Sequence, residues 1–105
     1  QFFLIEGHPF DRLLEDVVLE PEWDEWRARL YLKRRLYRKA LAAAQEALEE
    51  NWHYMPAHMS TLAALIGMNE IPLAQKHFVR VSELPAADTN RWRPTLIDFR
   101  QRLGL

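Results

Sequence analysis

Residues 37–51, YRKALAAAQEALEEN, and residues 71–85, IPLAQKHFVRVSELP, decide how this chain folds. Laid over one another at an offset of 34, Tyr37, Ala40, Ala44 and Ala47 fall on Ile71, Ala74, Phe78 and Val81. Positions three or four residues apart share one face of an α-helix. Recurrence of such a face at this period marks stacked helical hairpins, each unit burying its apolar side against the next. In the first stretch Ala40, Leu41, Ala44, Ala47 and Leu48 make the apolar face; Arg38, Glu46, Glu49 and Glu50 make the wet one.

The same periodicity extends in both directions. Pro56 opens a helix in which Met59, Leu62, Ala63 and Ile66 carry the apolar period to a break at Gly67-Met68-Asn69. Pro72 opens the next, which runs through Leu84 and ends at Pro85. Upstream, Trp23, Trp26 and Leu30 form one stripe of a helix from Pro21 to about Arg34. Before it, Leu13, Leu14, Val17 and Val18 give residues 10–20 an amphipathic pattern with Asp11 as cap, preceded by an apolar arm over residues 2–9. Downstream, Asp88 or Thr89 is expected to cap a last helix with Trp92, Leu96, Phe99 and Leu103 inward and Gly104 as its stop. The reading is an all-α domain of six helices with short loops. It spans residues 1–105, with an arm and helix over 1–20, hairpin units over 22–52 and 53–85, and a closing helix over 88–105.

With 49% hydrophobic residues and nine Gly or Pro in 105, the composition is that of a helix-rich globular domain. The chain has no cysteine, which excludes disulfides and thiolate metal sites and says nothing about compartment. The longest apolar run, 62–68, is far short of the roughly 20 residues a membrane-crossing helix needs. The start has neither an initiator Met nor a signal-peptide pattern and reads as a cut within a longer chain. Net charge is −1 but unevenly placed: residues 1–26 hold eight acids and one base, residues 27–39 seven bases and no acid. That asymmetry fits either a polyanion-facing surface or an acidic helix lying against a basic one, and adjacency in sequence favours the second.

These residues resemble the tetratricopeptide repeat family, whose pattern is Trp-x2-Leu-Gly-x2-Tyr on a first helix, Ala-x3-Phe-x2-Ala on a second, then Pro. From Pro56 to Pro85, Met59, Leu62, Ala63 and Ile66 stand for the first-helix positions, and Ala74, Phe78, Val81 and Pro85 continue the pattern with an inter-helix turn one residue short. Over residues 22–52, Ala28, Tyr31, Ala40, Ala44 and Ala47 fit, while Arg27 and Asp24 stand where Leu and Trp belong, implying a rotated or shifted first helix. The resemblance covers about 60 residues. It implies a short right-handed superhelix with a capping helix, acting as a protein-interaction or scaffold module. In such modules the first helix of each hairpin lines a concave groove, so it assigns a bound peptide or helix to Arg29, Lys33, Ser60, Ala64 and Met68. Ser60, Ala64 and Gly67 offer neither Lys nor Asn, which argues against the carboxylate clamp some members carry.

Catalytic chemistry finds no foothold in the sequence. His8, His53, His58 and His77 lack the i, i+4 spacing of a helical metal pair, and three glycines cannot build a phosphate-cradling loop. Glu15/Asp16 and Glu49/Glu50 are neighbours in sequence and point to different sides of a helix. The expectation is a non-enzyme without cofactor or metal. Among the four tryptophans, Trp52, beside His53 and Tyr54 in a loop, is the expected exposed aromatic. Partners are a protein or peptide, with self-association as a further option; near-neutral charge argues against nucleic acid. The alternative function is a non-catalytic helical accessory or oligomerisation domain attached to an enzyme.

Overall fold

A computed structural model of the chain describes the backbone of residues 21–105 and the side chains from Trp26 onward. The helix expected over 10–20, the arm before it and the side chain of Trp23 lie outside the described residues. Within them the fold is all-helical: α1 (Pro21–Lys33), α2 (Tyr37–Glu50), α3 (Met55–Gly67), α4 (Ile71–Ser82), the single turn α5 (Ala86–Thr89), a 3₁₀ turn (Asn90–Trp92) and α6 (Arg93–Arg102). α1 packs on α2 and directly on α3, α2 packs on α3, α3 on α4, and α4 touches α6.

The turn inside each hairpin is the same object twice. At the end of α1, Leu36 N–H donates to the Tyr31 carbonyl (2.9 Å) and Arg35 N–H to that of Leu32 (3.0 Å), with Arg35 left-handed at φ +59°. At the end of α3, Glu70 donates to Leu65 (2.8 Å) and Asn69 to Ile66 (2.9 Å), with Asn69 at φ +61°. These paired bonds define a Schellman stop, which satisfies carbonyls that a helix end leaves without partners. The following residues, Leu36 (φ −93°, ψ 72°) and Glu70 (φ −95°, ψ 64°), start α2 and α4 with matching geometry. Burial keeps the same period: Ala28 and Leu62, Ala40 and Ala74, and Ala47 and Val81 are all fully buried.

That geometry corrects the sequence alignment of the first helices. The turns of the two hairpins have the same length, so Leu62, not Ala63, is the counterpart of Ala28, and Leu65 that of Tyr31. The break expected at Gly67-Met68-Asn69 is there, with Gly67 the last residue of α3 and Asn69 the left-handed one. Its role is spatial, since a Cβ there would lie 2.6 Å from Cδ1 and Cζ of Tyr37.

The two hairpins are filled differently. Met55, Met59, Leu62, Leu65, Phe78, Val81, Leu96 and Leu103 form a core joining α3, α4 and α6, flanked by Trp92 and Phe99. Between α1 and α2 the buried cluster is Ala28, Ala43 and Ala44, capped by Tyr31. Small residues let helix axes approach to the lower end of the usual 8–10 Å range, but they remove little apolar area from water.

The last helix also departs from expectation. Neither Asp88 nor Thr89 caps it: α5 starts after Pro85, the chain passes through a 3₁₀ turn, and α6 begins at Arg93. Pro94 lies in the first turn of α6, where its missing N–H costs nothing, whereas deeper in a helix its ring would meet the Asn90 carbonyl. Gly104, at φ +74°, ends α6 with a third Schellman pair, Leu105 to Arg100 (3.0 Å) and Gly104 to Gln101 (3.1 Å).

Candidate functional site

α1, α3 and α6 enclose a groove of about 430 Å³. Leu32 of α1, Met59 and Ala63 of α3, and Trp92 and Phe99 beside and on α6 supply its apolar surface. Arg29, Ser60 and Thr95 supply polar groups. Arg29 and Ser60 are both engaged in further polar or ring contacts of their own. A second recess on α1, formed by Trp26, Arg29, Leu30 and Lys33, adjoins it through Arg29.

Of the residues assigned to a partner from sequence, Arg29 and Ser60 therefore meet in one groove, and Lys33 stands exposed next to Arg29. Ser60 offers only 4% of its surface. Ala64 is fully buried and cannot touch a partner, and Met68, half-buried after α3, does not line the groove. Successive helical residues are rotated by about 100°, so the one-residue error in register turned the assignment from Ala63 to Ala64. The third wall, from α6, is not apparent in the sequence because the same stripe, Trp92 and Phe99, also reads as a capping helix's core face.

The basic segment is partly neutralised. Arg27 Nη2 pairs with Glu46 Oε1 at 2.7 Å, and Lys39 Nζ lies 5.9 Å from the Tyr31 ring centroid. Lys33, Arg34, Arg35 and Arg38 are exposed without an ion pair among the described residues. Whether the acids of residues 1–25 meet them lies outside the described side chains.

A polar knot lies where the hairpins join. His58, fully buried on α3, has Nε2 2.6 Å from the Trp52 carbonyl and Nδ1 3.0 Å from His77 Nε2. A carbonyl only accepts, so His58 Nε2–H donates to it; His58 Nδ1 then accepts, and His77 Nε2–H donates. With both imidazoles neutral, as their burial favours, these contacts set one tautomer for His58 and the donating nitrogen of His77. Burial lowers the His58 pKa, its bond to Trp52 opposing the shift and Arg80 and His53 adding to it. Burial, then His58, then Arg80 lower that of His77 to about 4. Trp52 is half-buried rather than exposed, its ring edge-on to His58 at 4.7 Å and covered by the Arg80 guanidinium at 4.5 Å. His53, exposed in the same loop, meets Asp88 at 2.7 Å. The knot ties the 51–54 loop to α3, α4 and α5, and its ring nitrogens that face one another are spent on that.

Among the described residues no three His, Asp or Glu side chains converge as a metal donor set, and no helix is long and apolar enough to cross a membrane. In comparison with known proteins, no family model matches the chain, and no curated protein or solved structure matches it.

Proposed function

We propose that this domain is a protein-interaction module built on tetratricopeptide-like hairpins, and that it docks a peptide or helix from a partner protein in the groove between α1, α3 and α6. The observation that carries the reading is that groove: apolar side chains from three helices meet in one concavity, with cations at its α1 rim. Amphipathic helices bind such surfaces by laying apolar anchors into the groove while charged residues at the rim fix orientation. Met59, Trp92 and Phe99 suit apolar anchors, and Arg29 and Lys33 suit an acidic flank. The recurrence of one turn geometry at a spacing of 34 supports the repeat reading.

The test is affinity capture from the source lysate with the full chain and two variants, Ala63→Arg on the groove floor and Lys33→Glu at its rim. A partner recovered by the parent chain is expected to be lost by Ala63→Arg and weakened by Lys33→Glu, both variants keeping parental helicity. Capture unaffected by either, or no capture at all, contradicts the proposal.

A further inference from the structure

A second face, formed by α2 and α4, carries a pattern that the groove does not use. Helix α2 is charged against its own dipole. Arg38 and Lys39 occupy its first turn and Glu46, Glu49 and Glu50 its end, with no acid in the first turn and no base in the last. A helix terminus favours the reverse arrangement, acids at the N-terminus and bases at the C-terminus. Glu46 is paired with Arg27 of α1, but Arg38 and Glu49 have no ion-pair partner among the described residues.

The outermost strip of α2 is Arg38, Ala42, Gln45 and Glu49, all exposed. Its spacing of four, three and four is symmetric: turned end for end, Arg38 falls on Glu49 and Ala42 on Gln45. Ala42 in the middle leaves room for a second helix to approach closely. Beside this strip a groove of about 690 Å³ runs between α2 and α4 over Thr61 and Leu65 of α3. Leu73 and Val79 on its α4 side are 50% and 48% exposed. A strip that is complementary to its own reversal, next to bare aliphatic side chains, meets the requirement of a two-fold interface, in which residue i faces j and j faces i.

We infer that the α2–α4 face pairs with the same face of a second copy of this chain, α2 against α2 in antiparallel, so that Arg38 of each copy meets Glu49 of the other. Leu73 reaches toward Val79 of the copy across the shared groove. The pairing sets Arg38 and Glu49 of each α2 against opposite charges, which they lack among the described residues. It uses none of the groove residues and stands whether or not a partner occupies the α1–α3–α6 groove.

Sedimentation equilibrium of the full chain over the micromolar range tests it, with Arg38→Glu, Leu73→Glu and the exchange Arg38→Glu/Glu49→Arg. The parent chain is expected to be a dimer. Two symmetry-related pairs turned from attraction to repulsion should together raise the dissociation constant about tenfold or more in Arg38→Glu, although each exposed pair is individually weak. The exchange variant restores dimerisation, and Leu73→Glu weakens it with the charges intact. All substituted positions are exposed, and circular dichroism checks that folding is kept. A parent chain that is monomeric throughout overturns the inference, as does a dimer insensitive to Arg38→Glu or one that the exchange fails to restore.

Discussion

Of the two described glycines, Gly67 is the one at which the fold leaves no room for a side chain. It is exposed to solvent on one side, yet the Tyr37 ring lies against its α-carbon on the other, because α2 begins where α3 ends. Gly67→Ala removes glycine's helix penalty, at most about 1 kcal/mol in favour of the variant at this last helical position. It also forces the ring to move, and overpacking of this kind costs about 1–3 kcal/mol. The second effect wins, so urea denaturation should find Gly67→Ala less stable than the parent, and Gly67→Ala/Tyr37→Ala less sensitive to the added methyl. His58 and His77 set a different residue-scale behaviour. Both have folded pKa values below the unfolded 6.5, so the unfolded chain binds more protons in acid. Stability is complete well above pH 6.5 and falls as pH drops through that value toward about 4, the folded pKa of His77. The slope approaches about 1.4 kcal/mol per pH unit for His77, and His58 adds to it in the same direction. Denaturant melts at pH 7.5, 6 and 5 should show the fall, and His77→Gln, which can still donate to His58, should flatten it; an unchanged slope would count against the knot.

At the scale of elements, the hairpin turns repeat more faithfully than the residues that form them. Arg35 and Asn69 occupy equivalent left-handed positions, and Gly104 a third. Asparagine tolerates that region, whereas an ordinary L-residue is destabilised there by about 1–2 kcal/mol. Glycine at position 35 avoids the strain and gives back part of the gain as unfolded-state entropy. Arg35→Gly is therefore expected to raise the melting temperature, and by more than Asn69→Gly does; the reverse ranking would mean the two turns differ. The helices themselves were legible in the sequence because their signals are local: the apolar period, the prolines at 56 and 72, and the glycine at 104. What was not legible depends on partners distant in sequence. His58 reads as a polar residue at a helix start, yet it is buried because the Trp52 carbonyl and His77, 6 and 19 residues away, satisfy both nitrogens. Trp52 reads as an exposed loop aromatic, yet Arg80 of α4 covers it. Of the groove lining, Arg29 and Ser60 can be read from helix spacing, Ala63 lies one register step from the position that spacing points to, and the wall from α6 depends on where the last helix packs.

The whole molecule presents two faces of different character. One is concave, apolar at its floor and basic at its α1 rim; the other carries an outward strip of alternating end charges beside exposed Leu73 and Val79. Two hairpins are fewer than the three or more repeats that usually make a stable solenoid. α6 covers part of α4 at one end, and a docked partner or a second copy offers further burial. The proposed division of labour puts a partner in the groove and a second copy on the α2–α4 face. The most direct measurement is amide chemical-shift mapping of the isotope-labelled full chain as the captured partner segment is added. The groove account predicts shifts concentrated at residues 29–33, 56–63 and 92–99, with residues 38–49 and 73–80 unmoved. Shifts confined to 38–49 and 73–80 would contradict it and assign partner binding to the outer face instead.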